Sequence, residues 1–254
     1  MTSREQAKSE RKAAILASAR LLMRQANGAS FSMRSLAEAA GVSSATPYNL
    51  FGSKLAILAA LLDADLEEFQ SALRELKTDG IDLMFEAVAL MRQFLAREPD
   101  FYHGVMGEMC QDGGTQLRQV VSGPRYALWK NMLGEATQAG LLVDDLDADA
   151  FALTLSQLMA GNLQEWAMGK LSLEEMDARI RYGLALLLSA IATDVSRPSL
   201  QRRWRDAERD LQVLWQDALQ ERLQQGTHDE ASRQLLADQL RYMELKQVER
   251  EVTA

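Results

Sequence analysis

Cysteine is almost absent: Cys110 is the only one in 254 residues. No intrachain disulfide can form, and the reducing cytoplasm is the expected compartment. Proline is nearly as scarce, at 4 residues, and glycine stands at 15, which excludes collagen-like and low-complexity chains. Only two histidines occur, His103 and His228, too few for a His-based zinc site. Long apolar runs are missing as well. One of the longest, Leu184 to Ala192, is interrupted by Ser189 and falls far short of the ~20 residues that span a bilayer. The polar start, from Met1 to Lys12, does not resemble a signal peptide. What is present is 47% apolar and 25% charged, enough for a sizeable core. A soluble, intracellular globular protein is expected, with no membrane partner.

Net charge is −8, unevenly spread. Residues 1–60 carry 8 Lys/Arg against 3 Asp/Glu, whereas the rest carries 20 against 33. A basic end that meets a polyanion and an acidic body that does not would produce this asymmetry; so would a solvated helix face with a chance excess of arginine. Charge motivates a search for a nucleic-acid site without deciding it.

No segment alternates with the two-residue period of a strand, and nearly all read as helix. Expected stops are Asn27-Gly28, Gly41, Gly52 and Gly140, with Ser43 and Ser53 as candidate N-caps. Helices are expected over 54–77 and 81–97, then two more broken by Gly113-Gly114 and Gly123-Pro124. Asp147 is expected to cap an eighth helix with stripe Phe151, Leu155, Leu158 and Trp166. Ser172 with Glu175 opens a ninth, with stripe Ile180, Leu184, Leu187 and Ile191. That ninth helix is apolar nearly all round, so it must be covered on more than one side. Either deep burial or a second subunit's helix pair would serve, and these eight residues are taken as the dimer interface. After Pro198 the spacing predicts two more amphipathic helices laid on the body as a hairpin, one lined by Leu200, Trp204, Leu211, Leu214 and Ala218, the other by Leu236, Leu240 and Met243.

The most informative stretch runs from Phe31 to Lys54. Two short helices meet at Gly41, with the small Ala37 allowing close approach and Val42 plugging the joint, as in a helix-turn-helix. The proposed reading helix, Ser44–Phe51, begins with short hydroxylated side chains suited to base edges and thymine methyl groups. Tyr48 offers a phosphate donor on a rigid ring. Lys54 starts the next helix, where ammonium and helix N-terminus favour the same anion. A purely structural helix pair would look similar.

Residues 10–60 resemble the N-terminal DNA-binding domain of the TetR family of bacterial transcription regulators. The resemblance rests on Leu36-Ala-Glu-Ala-Ala-Gly-Val-Ser43 and Thr46-Pro-Tyr-Asn-Leu-Phe-Gly-Ser-Lys54. It implies a homodimeric repressor whose second domain binds a small molecule. By position it implies that Ser43, Ser44, Ala45, Thr46, Tyr48 and Asn49 face DNA, that Lys54 holds a phosphate and that Arg34 touches the backbone. Leu55-Ala56 departs from the acidic residues common there, and the tail after Pro198 extends beyond the family's usual ending.

Rival chemistry fails. Asp145, Asp147 and Asp149 open like a calcium loop, but Ala150 and Ser156 stand where Gly and Glu are required. No P-loop, G-x-S-x-G, H-E-x-x-H or G-x-G-x-x-G occurs, so neither an enzyme nor a cofactor is expected. Met91, Phe94, Phe101, Met106, Tyr126 and Trp129 form aromatic and Met stripes that suit a core or an adaptable cavity, and His103, Gln157 and Asn162 are candidate polar groups to orient a guest. The expected organisation is all-α: a helix-turn-helix domain over 1–55, a ligand-binding and dimerisation domain over 56–195, and a helical extension over 196–254. The expected function is a repressor that leaves operator DNA when an apolar or amphipathic effector binds. A helical protein-interaction module is the alternative.

Overall fold

The computed structural model describes residues 3–25, 31–78, 80–110 and 115–225 with Gln234, Asp238, Leu240 and Arg241; at 3, 110, 115–121 and 225 only the backbone is described. Ten helices are defined among these residues, and no strand. The N-terminal head is α1 (Ser3–Gln25), α2 (Met33–Ala39) and α3 (Thr46–Phe51), followed by α4 (Lys54–Glu75), which leads into the body. Ile15, Ala19 and Met23 recur every four residues on α1, all fully buried against Leu36 of α2 and Ile57 and Leu58 of α4. Ser32 caps α2 and exchanges a reciprocal pair of bonds with Ser35. Ser53 caps α4 by accepting from the Ala56 amide. The expected cap at Ser43 is not made. Its hydroxyl bonds the Thr46 hydroxyl at 2.8 Å instead, and α3 starts at Thr46 behind Ala45, without a side-chain cap.

The body continues with α5 (Gly80–Arg97), α6 (Pro99–Cys110), α7 (Thr115–Gln138), α8 (Ala148–Ala167), α9 (Leu173–Ala190) and α10 (Arg197–Gln225). Asp147 caps α8 by accepting from the Asp149 and Ala150 amides, and Ser172 caps α9. The expected break at Gly123-Pro124 does not occur, because α7 runs through Pro124. One proline costs an interior helix ~3 kcal/mol. Burial of Trp129, Met132, Leu133 and Ala136 one to three turns further on outweighs that. The breaks expected at Asn27-Gly28 and Gly113-Gly114, and most of the second tail helix, including Leu236 and Met243, lie outside the described residues.

Two connections hold the far end of the body together. Leu142, after α7, forms an antiparallel bridge with Ala192, after α9, and the Val143 amide donates to the Ile191 carbonyl at 2.9 Å. Gly80 lies against this joint with φ +56°, and a Cβ there would stand 2.8 Å from the Leu141 side chain. The positive φ is what favours glycine, since the Leu141 methyl could swing aside but the backbone sign would strain any other residue.

The first tail helix is present as α10, antiparallel to α9. Arg181 pairs with Asp210 at 3.0 Å, and the Trp215 indole donates to Glu175 at 2.8 Å. Arg203 reaches α5, where it pairs with Asp82 and lies 4.3 Å over the Phe85 ring. This changes the reading of the dimer face. Phe151, Leu155, Trp166, Ile180 and Leu184 are at most 9% exposed within one chain. Neighbouring helices α5, α8 and α10 already cover α9, so those five have almost no surface left for a partner. Leu158, Leu187 and Ile191 are half-buried and packed on the same core. The side chains left exposed on α8 and α9 are different ones, Leu153 (53%) and Leu186 (40%) among the large apolar residues.

Candidate nucleic-acid interface and effector cavity

The turn between α2 and α3 is built on Gly41, at φ +65°, with the Val42 amide bonded to the Ala37 carbonyl at 3.0 Å. Ala37 is buried and Val42 packs against the core, as their sizes suggested. Pro47 points inward at the start of α3. The opposite side carries Ser43, Ser44, Ala45, Tyr48 and Asn49, all exposed, with Thr46 half-buried beside them. Tyr48 is 54% exposed, unusual for an aromatic side chain with no partner element over it. Arg34, on α2, makes only an exposed pair with Glu38, and such pairs are worth little. Lys54 differs from expectation. Its ammonium is paired with Glu108 of α6 at 2.7 Å and lies 5.2 Å over the Phe31 ring.

A cavity of about 200 Å3 opens between α4, α5, α6, α7 and α8. That exceeds the ~150 Å3 engineered void that accommodates benzene. Of the residues expected to line it, Met91, Phe94, Met106 and Trp129 do. The other five do not, because one position along a helix turns a side chain by about 100°. Phe101 precedes the lining Tyr102 and faces α1, with its ring 4.3 Å under the Arg20 guanidinium. His103 follows it and stacks on Trp166 at 4.3 Å, its Nε2 buried without a hydrogen-bond partner among the described residues. Tyr126 follows the lining Arg125 and bonds Asp149 on the outside. Gln157 follows the lining Ser156 and is exposed. Asn162 donates to the Leu158 carbonyl of its own helix at 2.9 Å.

The polar lining differs from the expected His103, Gln157 and Asn162. It consists of Asp65, Tyr102, Ser122, Arg125 and Ser156. One Asp65 oxygen pairs with Arg20 of α1, and the other accepts from the Tyr102 hydroxyl at 2.9 Å. Arg20 also pairs with Glu98 at 3.4 Å. Burial and the neighbouring Asp65 carboxylate push the Tyr102 phenol well above its ordinary value, so it remains a donor. Burial lowers the Arg20 pKa, but the neighbouring Asp65 and Glu98 carboxylates with the Tyr102 phenol together outweigh it and leave the value raised. Arg125 moves the other way, because desolvation dominates there. Asp65 thus joins the cavity wall to the first helix of the head.

Residues 15–61 match the family model of bacterial regulatory proteins, tetR family. The match covers the head, from α1 into the first turns of α4. Solved structures with a similar all-α fold over most of the chain are described as TetR-type regulators. One is the Thermus thermophilus FadR, a TetR family transcriptional repressor solved with lauroyl-CoA, at TM-score 0.60 and 20% identity over 72% of this chain and 95% of that one. Another is a TetR regulator from Rhodococcus sp. RHA1, at 0.57 and 20% over 72% and 97%. The fatty acid degradation regulator FadR of Bacillus halodurans gives 0.55 and 20% over 70% and 94%. No curated protein matches. No group of three or more potential metal ligands exists among the described residues, and none of their helices is long and apolar enough to cross a membrane.

Proposed function

We propose that the protein is a sequence-specific, DNA-binding transcriptional repressor that works as a homodimer and leaves its operator when a small amphipathic molecule enters the α4–α8 cavity. The observation that carries this is the exposed start of α3, with Ser43, Ser44, Ala45, Tyr48 and Asn49 on one open face inside the TetR-family match. Thr46 and Asn49 are assigned to the groove, Tyr48, Arg34 and Lys54 to phosphates. The head comprises residues 1–55, the effector and dimerisation domain 56–195 and the extension 196–254. Two reading helices must sit one duplex turn apart, ~34–36 Å, to enter successive major grooves. The face assigned to the second copy contains Leu153 and Leu186 with the exposed Gln157, Gly161 and Ala190. An apolar cavity with a polar pole suits a guest with an apolar body and one polar end, and the lauroyl-CoA bound by the similar Thermus thermophilus repressor has that character. The role is binding, not catalysis, and the cellular site is the cytoplasm.

Gel-shift titration against the protein's own upstream DNA at several salt concentrations tests the reading. A specific complex with a steep salt dependence is expected. Lys54→Ala should weaken binding to every sequence and flatten the salt slope by about one unit per head. Thr46→Ala should change sequence preference; equal loss on all duplexes would remove it from the base-reading set. Ser156→Phe places a ring in the cavity from α8. Calorimetry or native mass spectrometry should then find no guest on the variant while wild type carries one, with DNA affinity retained. A variant that still holds the guest would move the effector elsewhere.

A further inference from the structure

The residue assigned to phosphate on the reading head is already engaged by the body. Lys54 is the first residue of α4, next to the Ser53 cap, where the helix N-terminus favours an anion. In the absence of DNA the anion there is the Glu108 carboxylate, 2.7 Å away on the last turn of α6. Both side chains are largely withdrawn from water, at 21% and 11% exposure. The Phe31 ring beneath the ammonium adds to the hold. Such a pair is screened far less than an open surface pair.

We propose that Glu108 competes with the DNA backbone for Lys54, so that the body sets how strongly the head grips phosphate. This rests on the DNA-binding reading above and extends it. The ammonium has three N–H donors, but a phosphate oxygen brought to the same cation stands within a few ångströms of the Glu108 carboxylate, and repulsion between the two anions weakens the bond to Glu108 as the phosphate approaches. Docking therefore exchanges one charge-assisted bond for another, and the measured affinity is the difference. The exchange is placed where the cavity can act on it. Met106 and Tyr102, which line the cavity, lie half a turn and nearly two turns before Glu108 on α6. A guest that holds α6 in its present position keeps the pair closed and disfavours the complex, whereas a shift of α6 away from α4 releases the ammonium. The Arg20–Asp65–Tyr102 set acts on the geometry of the head; Glu108 acts on its charge.

The test is a double-mutant cycle on the full-length protein, read as affinity for a mixed-sequence duplex of about 30 base pairs, long enough for two adjacent grooves. Glu108→Gln keeps the shape and removes the charge. It is expected to bind roughly tenfold more tightly than wild type, about 1.4 kcal/mol. In a Lys54→Met background the same change should have no effect, because the contested cation is gone. Glu108→Asp, which keeps the charge but shortens the reach, should fall between wild type and the Gln variant, and it decides the matter if the Gln variant melts early. Wild-type affinity in both Glu108 variants overturns the proposal. So does tightening that persists without Lys54, which would mark general charge repulsion from the acidic body. If wild type and Glu108→Gln both ignore every duplex, the DNA-binding reading itself falls and this inference goes with it.

Discussion

Asp65→Ala should lower the unfolding free energy by about 3 kcal/mol, read by urea denaturation at fixed protein concentration. The carboxylate is 9% exposed and divides its oxygens between the Arg20 guanidinium and the Tyr102 hydroxyl. Removing it leaves a partly buried cation and a buried hydroxyl without their acceptor, and the uncompensated partners dominate the cost. Arg20 keeps Glu98 at 3.4 Å and is 24% exposed at the side chain, which places the value at the lower end of the range for broken buried pairs. At roughly 2–4 °C per kcal/mol for a chain of this size, the melting temperature should fall by about 6–12 °C. A loss under about 1 kcal/mol would mean that the pair behaves like one on the surface. Asp65→Asn keeps an acceptor for Tyr102 and gives up only the ion pair, so it should cost less. The difference between the two variants measures what the tyrosine bond contributes.

Asp65 also illustrates what a sequence conceals. A carboxylate in the middle of Lys54–Glu75 reads as solvated until a second helix is known to bring an arginine to it, and that arginine comes from position 20. Arg125 was invisible as a cavity residue for the same reason. Met91, Phe94, Met106 and Trp129 were legible because apolar side chains at helical spacing must face inward wherever the neighbours are. Most helix ends were legible too, since Gly41, Gly52 and Gly140 with positive φ, and the Ser53, Asp147 and Ser172 caps, act within a few residues. Ser43 misled because its hydroxyl had a nearer partner in Thr46. The α9 stripe gave the right degree of burial and left the cover open between α10 and a second chain. Periodicity reports that a face is hidden, but not whether α10 or a second chain hides it.

Phe101→Ala carries the largest stability loss expected from a single side chain here, about 4 kcal/mol by analogy with other buried rings. Phe101 is fully buried on α6, stacked edge-on to Tyr102 at 5.0 Å and covered by the Arg20 guanidinium at 4.3 Å. Its ring therefore fills the joint between the first helix of the head and the helix that lines the cavity. The void left by alanine would face α1 on one side and the cavity wall on the other. Loss should be local before it is global: amides of α1 around Ala19 should exchange with solvent sooner than in wild type, while those of α9 around Leu184 keep their order of protection. Equal acceleration in α1 and α9 would show that Phe101 belongs to one cooperative core and that the head has no joint of its own. A preferential loosening of α1 would instead identify the contact through which movement of α6 reaches the reading helix. In the dimeric DNA-binding repressor proposed above, the same variant should then bind duplex DNA more weakly at temperatures where the body is still folded, because two heads held at variable angles enter successive grooves less often.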